Sequence, residues 1–207
     1  MARPLRQDAA RNRERLVLAA REVFGRRGVD APLDEIAREA GVAIGTLYNR
    51  FPSRGELVDA ALAPLAGEAV DVAARAARIE DPWQAFASFM TDTCELFARD
   101  RGAADVYRCR VPGAPVIAAA QQRLWALKAD VMARAVEAGA LRADVESADI
   151  VLLIWAVIAT MDATRDIAPD AWRRHLALVL DALRSGAAHP LPVPPLAPGQ
   201  LRDATPS

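Results

Sequence analysis

The sequence predicts an all-α protein in two parts. Apolar residues make up 53% of the chain and aromatic residues only 5%, while the helix formers Ala, Leu, Arg and Glu recur throughout. Charge is divided unevenly: residues 1–55 hold 11 arginines against 7 acidic residues, and residues 56–207 hold 15 basic against 20 acidic residues. A basic head on an acidic body is typical of a polyanion-binding module joined to a second module.

Size, cysteine content and hydropathy restrict the class of protein further. The 207 residues are enough to bury a core, and one conceivable Cys94–Cys109 bridge does not make a secreted scaffold. No apolar stretch follows the charged N-terminal residues, so we expect no signal peptide. The longest apolar run, Ile150–Met161, is too short to cross a bilayer. We therefore expect a cytoplasmic protein that makes no membrane contact.

Two helices are predicted at the start of the chain. Residues 11–27 form an amphipathic helix that ends near Gly25 and Gly28. A second helix begins at Pro32, a residue suited to a first helical position, and Gly41 stops it after about two turns. The apolar stripe of the first helix consists of Leu16, Val17, Ala20, Val23 and Phe24.

A third short helix is predicted over residues 43–51. Leu47 and Phe51 lie four residues apart on its inner side, and Pro52 closes it. Three short helices with a glycine-containing turn between the second and the third describe a helix-turn-helix unit.

The rest of the chain is predicted to be helical up to about residue 184. Residues 150–161 are apolar all round and must be covered on every side, and Leu178 with Ala182 adds a second apolar face to the last helix. Excess apolar surface on two adjacent helices predicts a homodimer interface. From His189 to Ser207, six prolines and no periodicity predict a tail without regular structure. The predicted helices cover 53–78 with a proline kink at Pro64, Pro82 to Gly102, about 103–110, 116–137, a helix that Ser147 caps and that contains Ile150 to Met161, and 169–184.

Residues Ala31 to Val58 resemble the tetracycline-repressor (TetR) family of bacterial regulators. The resemblance implies a helix-turn-helix DNA-binding domain with a basic N-terminal arm over residues 1–55. It further implies a helical ligand-binding and dimerisation domain over residues 56–187, before a Pro-rich tail over 188–207. The matching groups are Ile36-Ala37, Ala40-Gly41-Val42, Gly45-Thr46-Leu47-Tyr48, Phe51-Pro52 and Glu56-Leu57.

The expected DNA contacts lie on and beside the third helix. Gly45 lets the helix approach the phosphate backbone, and the hydroxyls of Thr46 and Tyr48 can bind phosphate oxygens. Asn49 and Arg50 can reach base edges or phosphates in the major groove. Arg54, at the start of the fourth helix, is expected to bind phosphate. The full predicted set is Ala43, Ile44, Gly45, Thr46, Tyr48, Asn49, Arg50 and Arg54.

Two of these positions depart from the common family pattern. Position 43, often a small hydroxyl residue, is Ala43, and position 44, often polar or basic, is Ile44. Ile44 could contact a thymine methyl group, which shifts readout towards apolar contact. Four arginines near the N-terminus either form a phosphate-binding or minor-groove arm or are simply a solvated charged terminus: Arg3, Arg6, Arg11 and Arg13.

The second domain is implied to bind a small, largely apolar effector that releases the protein from its operator. Aromatic and sulfur-containing side chains there could line a cavity, although each could equally be ordinary core. The cavity candidates are Trp83, Phe86, Met90, Cys94, Phe97, Tyr107, Trp125 and Trp155. Polar side chains that could orient a ligand are Thr91, Thr93, Gln121, Thr160, Asp162 and Arg165.

Two other functions remain open, and a third is not expected. The exposed faces of the last helices could bind a protein, which would make the chain an adaptor. Cys109 lies between Arg108 and Arg110, whose positive charge could lower the thiol pKa and make the regulator redox-responsive. An enzyme is not expected, because His175 and His189 are the only histidines and no motif for a metal, a cofactor or a nucleophile is present.

Overall fold

The computed structural model describes residues 3–109 and 111–205, with side chains described from Ala10 onward except those of Ala187, Pro198 and Arg202. Across these residues the chain is helical and contains no β-strand, which confirms the all-α prediction. The helices are α1 (Arg3–Arg27), α2 (Leu33–Glu39), α3 (Ile44–Arg50), α4 (Arg54–Ala76), α5 (Pro82–Arg99), α6 (Arg101–Arg108), α7 (Pro115–Glu137), α8 (Ser147–Thr164), α9 (Ala171–Ala182) and α10 (Pro198–Ala204).

The helices form two compact units that do not follow one cut in the chain. The first unit runs to Gly67 and takes in Asp100–Ala120, so that α6 belongs with α1, α2 and α3. The second unit consists of Glu68–Arg99 and the chain from Gln121 onward. Helix α6 packs against α1 in the first unit, and α8 packs against both α5 and α9 in the second.

The first unit is built on α1, whose predicted apolar stripe is mostly buried. Leu16, Val23 and Phe24 are fully covered. The helix begins at Arg3, eight residues before the predicted start, because Pro4 is tolerated in a first turn and the residues that follow favour helix. The segment expected to be a basic arm is therefore helical, although the side chains of Arg3 and Arg6 lie outside the described set.

The core of the second unit is centred on α5. Eight residues of α5 are buried, and α8 contributes seven more. Helices α8 and α9 are also joined by a 2.7 Å hydrogen bond between Thr160 Oγ1 and His175 Nδ1. The buried residues of α5 are Ala85, Phe86, Phe89, Met90, Thr93, Cys94, Leu96 and Phe97.

Two helix ends differ from the sequence predictions. Ser147 was expected to cap α8, but Glu146 does so through a reciprocal capping box with Asp149, and Ser147 is the first helical residue. The tail was expected to lack regular structure, whereas the structure contains the seven-residue α10. Its start is stabilised because the Ala197 N–H donates to Gln200 Oε1 at 2.9 Å.

Helix α8 carries apolar residues on all its faces, and the described part of the chain does not bury all of them. Its 18 residues would suffice by length and composition for a membrane span, a test that core helices also pass. Among its exposed or half-exposed residues, four apolar ones lie at helical spacing and form one stripe: Leu152, Trp155, Ala156 and Ala159.

The single lysine of the chain, Lys128 on α7, is 2% exposed. Its Nζ donates to the main-chain oxygen of Ser147 at 3.1 Å. Burial lowers the pKa of Lys128 from 10.5 to about 8, because the ammonium is disfavoured away from water. The unfolded chain therefore holds this proton to a higher pH than the folded chain, and the free energy of unfolding rises with pH between about 8 and 10.5.

Replacing Lys128 by Met should stabilise the protein at neutral pH. Below pH 8 the buried charge costs up to about 3 kcal/mol, at about 1.4 kcal/mol per pKa unit, and Lys128→Met removes that cost. The stability difference from wild type should shrink as pH rises towards 10.5. Denaturant titrations of both proteins from pH 7 to 10.5 measure it; a pH-independent difference, or a less stable variant at pH 7, would contradict the burial effect.

Candidate DNA interface

The turn between α2 and α3 is a Schellman motif centred on Gly41. The Gly41 N–H donates to Arg38 O at 3.0 Å and the Val42 N–H to Ala37 O at 2.9 Å. Gly41 has φ of +62°, which favours glycine. Helix α2 therefore ends after seven residues, and α3 begins three residues after Gly41.

Helix α3 turns one side chain inward and leaves the others accessible. Leu47 is fully buried and Thr46 is half-buried. The outward face carries Ala43, Ile44, Gly45, Tyr48, Asn49 and Arg50, all exposed. Seven of the eight predicted DNA-contact residues, Thr46 included, thus lie on α3 or at its N-cap.

Ala43 is the N-cap of α3 and makes no side-chain capping bond. This follows from the departure from the family pattern, since alanine has no oxygen to accept a main-chain N–H. Gly45 has no heavy atom within 4 Å of the position a Cβ would take. Within the described residues the chain itself therefore does not require glycine at this position.

Two arginines of α1 contact the helix-turn-helix. The Arg13 guanidinium lies 5.2 Å from the centre of the Phe51 ring, directly after α3. Arg15 Nη2 donates to Gly41 O at 3.3 Å, in the turn before α3. Arg13, expected to belong to a DNA-binding arm, thus contacts the C-cap residue of α3.

The connection between α1 and α2 is held by a buried carboxylate of α6. Asp105 Oδ2 accepts from the Val29 N–H at 3.1 Å, and Asp105 is only 9% exposed. A Cβ on Gly28 would come within 2.4 Å of that oxygen, and Gly28 has φ of +85°. Only glycine at position 28 therefore lets α6 come this close.

Arg54 contacts the same connection from another side. Its Nη1 donates to Val29 O and to Ala31 O, both at 2.8 Å. Sequence reasoning assigned Arg54 to phosphate, whereas in the structure this nitrogen binds the protein main chain. A phosphate contact through the other guanidinium nitrogens stays a prediction.

Sequence reasoning missed the role of Asp105 altogether. Its only sequence signal is an acidic residue among small apolar neighbours, Ala103, Ala104 and Val106, in a short helix. Buried carboxylates need partners, so this pattern could have predicted a main-chain contact, though not which one.

The predicted effector-pocket residues do not form one set in the structure. Phe86, Met90, Cys94 and Phe97 are buried together on α5. Trp125 on α7 is 49% exposed, and Tyr107 lies in the first unit, apart from the other seven. Whether the buried α5 residues line a cavity or form core stays open, as the sequence left it.

Two further candidates have defined contacts. The Arg184 guanidinium lies 4.1 Å from the centre of the Trp83 ring. The indole Nε1 of Trp155 is buried and has no hydrogen-bond partner in the described part of the chain. The polar candidates differ likewise: Thr160 binds His175, and Arg165 pairs with Asp162 at 3.0 Å on the surface.

A surface cavity of about 410 Å³ does exist in the second unit, but none of the predicted residues lines it. It lies between α4 and α5 and is mostly charged. Arg99 pairs across it with Glu68 at 2.6 Å. Its lining consists of Glu68, Asp71, Val72, Arg75, Asp92, Glu95, Leu96 and Arg99.

The thiol hypothesis for Cys109 rested on acidification by Arg108 and Arg110, and Arg110 lies outside the described residues. Among the described residues, burial, Asp105 and Asp30 raise the thiol pKa, and Arg108 only partly offsets them. Burial and Glu95 raise the pKa of Cys94 to about 12. Both thiols are therefore less reactive than an ordinary cysteine. Over 3–109 and 111–205, no cluster of three or more His, Cys, Asp or Glu side chains could hold a metal ion.

Two family models match the chain over most of its length. Residues 16–61 match the model for bacterial regulatory proteins of the tetR family, and residues 81–185 match the model for the C-terminal domain of SbtR-like transcriptional regulators. The first match spans the DNA-contact stretch; the second starts before α5 and ends after α9.

Individual relatives agree with these models. The chain is 47% identical over 64 residues to the HTH-type transcriptional regulator SrpR of Pseudomonas putida, covering 30% of each protein. It is 32% identical over 141 residues to the HTH-type transcriptional repressor BepR of Brucella suis, covering 63% of this chain and 66% of BepR. The chain thus matches less than two thirds of the length of either relative.

A solved structure extends the likeness to the whole fold. The TetR transcriptional regulator SCO0520 of Streptomyces coelicolor superposes with a TM-score of 0.51 at 30% identity, over 83% of this chain and 98% of that one. With the two family models, this likeness shows that the chain belongs to the tetR family of bacterial regulatory proteins.

Proposed function

We propose that this protein is a sequence-specific DNA-binding transcriptional regulator that reads duplex DNA with the outward face of α3. The observation that carries the proposal is the division of α3 into one buried residue, Leu47, and a continuous exposed face beside it. A helix that is anchored by one buried side chain and keeps most of the others accessible is suited to enter a major groove.

Each exposed side chain has a proposed role. Thr46 and Tyr48 position the helix on phosphates, while Ile44, Asn49 and Arg50 read bases. Ile44 is 41% exposed and Tyr48 52% exposed, so both present apolar surface that a groove would cover.

The division of labour along the chain follows the family. Residues 1–55 bind DNA, residues 56–187 bind an effector and dimerise, and residues 188–207 are an appended tail. We further propose a cytoplasmic repressor, without catalytic activity, that a small and largely apolar molecule releases from its operator. Release requires that the effector favour a state in which the two heads no longer match two half-sites.

Homodimerisation is proposed through α8 and α9. On α8, Ala156 and Ala159 of the stripe are exposed and Leu152 and Trp155 are half-exposed, and Leu178 on α9 is 59% exposed. Contiguous apolar surface of this kind is rarely left in water, and self-association of two copies would cover it.

A protein-binding adaptor is the second candidate, favoured by the same uncovered faces. It differs from a regulator in its salt response. Binding to DNA releases counterions and weakens steeply as salt rises, whereas apolar protein docking does not.

Arg50→Ala should weaken DNA binding. Arg50 is exposed on α3 and is proposed to read bases, so its loss should cost roughly tenfold in affinity for the gene's own upstream DNA and relax the sequence preference. Arg123→Ala, on the exposed face of α7, is the matched control because it removes the same charge outside the first unit. Gel-shift titrations at two salt concentrations measure both; equal affinity of the two variants, or salt-independent wild-type binding, would refute DNA reading by α3.

Gly45→Ala should have opposite effects on folding and on DNA binding. Alanine favours helix by up to about 1 kcal/mol and meets no atom within 4 Å, so the free chain should become more stable. The added methyl group should hold α3 off the phosphate backbone and weaken DNA binding roughly tenfold. Gly67→Ala in α4, which also meets no atom, is the control: it should stabilise the chain and leave DNA affinity unchanged. If Gly45→Ala kept full DNA affinity, glycine at this position would not be needed for the approach of α3 to the phosphate backbone.

Leu178→Asp should convert the dimer to a monomer, since it places a charge in the proposed apolar interface. The control is Leu18→Asp on α1, where the leucine is 64% exposed in the first unit. Light scattering coupled to gel filtration gives the mass of each variant. A dimer that survives Leu178→Asp, or one that Leu18→Asp breaks instead, would place the interface elsewhere.

A further inference from the structure

The second unit buries one positive charge without an anion to balance it. The Lys128 ammonium has three N–H groups, and its hydrogen-bond partner in the described part of the chain is Ser147 O alone. Its surroundings on α7 are apolar: Leu124, Val131 and Met132, one turn away on either side, are buried. A buried cation without a counter-ion is unfavourable unless something else supplies one.

Other buried polar atoms of this unit offer donors as well. The Thr93 hydroxyl on α5 and the Trp155 indole N–H on α8 are buried and have no hydrogen-bond partner among the described residues. An indole nitrogen can only donate. Among the described residues classed as buried, the one carboxylate, Asp105, lies in the first unit and binds the Val29 N–H. The interior of the second unit therefore has donors that lack acceptors.

The ammonium of Lys128 stays charged under ordinary conditions. Burial lowers its pKa only to about 8, so most molecules still carry the proton at pH 7. A bound anion would therefore meet a cation that is already dehydrated, and such an ion pair is stronger than one at the surface. If the anion is a carboxylate, its oxygens would also accept hydrogen bonds from the two remaining N–H groups of Lys128.

We infer that the second unit binds a small organic acid with an apolar body, and that the Lys128 ammonium is the counter-ion of its carboxylate. The inference rests on the proposed function, in which this unit binds the effector. The apolar body matches the buried side chains one turn from Lys128 on α7: Leu124, Val131 and Met132.

The single lysine makes the test direct. Protein grown with lysine labelled at the side-chain carbon gives one lysine signal, whose titration reports the Lys128 pKa. The probes are benzoate, 2-naphthoate, 4-oxopentanoate, hexanoate and decanoate, each against its methyl ester and against sodium chloride at equal ionic strength. At least one acid should raise the Lys128 pKa by a unit or more, because a nearby anion favours the ammonium, while its ester and chloride should not.

The same acid should bind Lys128→Met at least tenfold more weakly than wild type, measured by calorimetry. Arg123→Met, which removes a positive charge from the exposed face of α7, should bind it normally. Circular dichroism checks that Lys128→Met is folded, and the wild-type lysine signal decides the outcome if it is not.

Several results would overturn the inference. These are a panel in which no acid moves the lysine signal, an ester that binds as tightly as its acid, or a folded Lys128→Met that keeps full affinity. Wild-type binding to upstream DNA, titrated without acids, is measured separately. If DNA binds and the lysine signal never moves, the inference alone fails; if DNA does not bind, the proposed function fails whatever the lysine signal shows.

Discussion

The hydrogen bond from the Val29 N–H to the buried Asp105 carboxylate is the contact on which the first unit depends. It joins α6 to the connection between α1 and α2, and Arg54 binds the carbonyls of the same connection. The connection is thus held through both its N–H and its C=O groups. Because α2 begins directly after it, its position fixes where α2 and α3 lie, and with them the outward face of α3.

Local patterns in the sequence were enough to predict the helix-turn-helix. Gly41, Pro52 and the spacing of Leu47 act within a few residues, and the structure has the turn, α3 and its buried residue where they were expected. The contacts that hold this unit together were not predictable, because Asp105 and Val29 lie 76 residues apart and no periodic pattern relates them. Arg54 shows the same limit: its predicted partner was phosphate, whereas its Nη1 donates to main-chain carbonyls of an earlier loop.

The second unit shows what composition can and cannot predict. Periodicity predicted the helices and the excess apolar surface of α8, since both follow from the order of apolar residues. It could not predict that Lys128 is buried, because a lysine between Leu127 and Ala129 fits an exposed position equally well. Nor could it predict the Cys109 pKa, because burial and the carboxylates of Asp105 and Asp30 outweigh Arg108. The burial of such a side chain and its pKa depend on how the whole chain folds around it, and no local sequence pattern encodes either.

The central claim is that α6 holds the reading helix in place through Asp105, and Asp105→Ala tests it most directly. The substitution leaves the buried Val29 N–H without its acceptor, at a cost of about 1–3 kcal/mol. Asp130→Ala, on the exposed face of α7, removes the same charge without a buried partner. The measurement is the affinity of both variants for the upstream DNA at one salt concentration. The account predicts at least a tenfold loss for Asp105→Ala and wild-type affinity for Asp130→Ala; equal affinity of the two would contradict it.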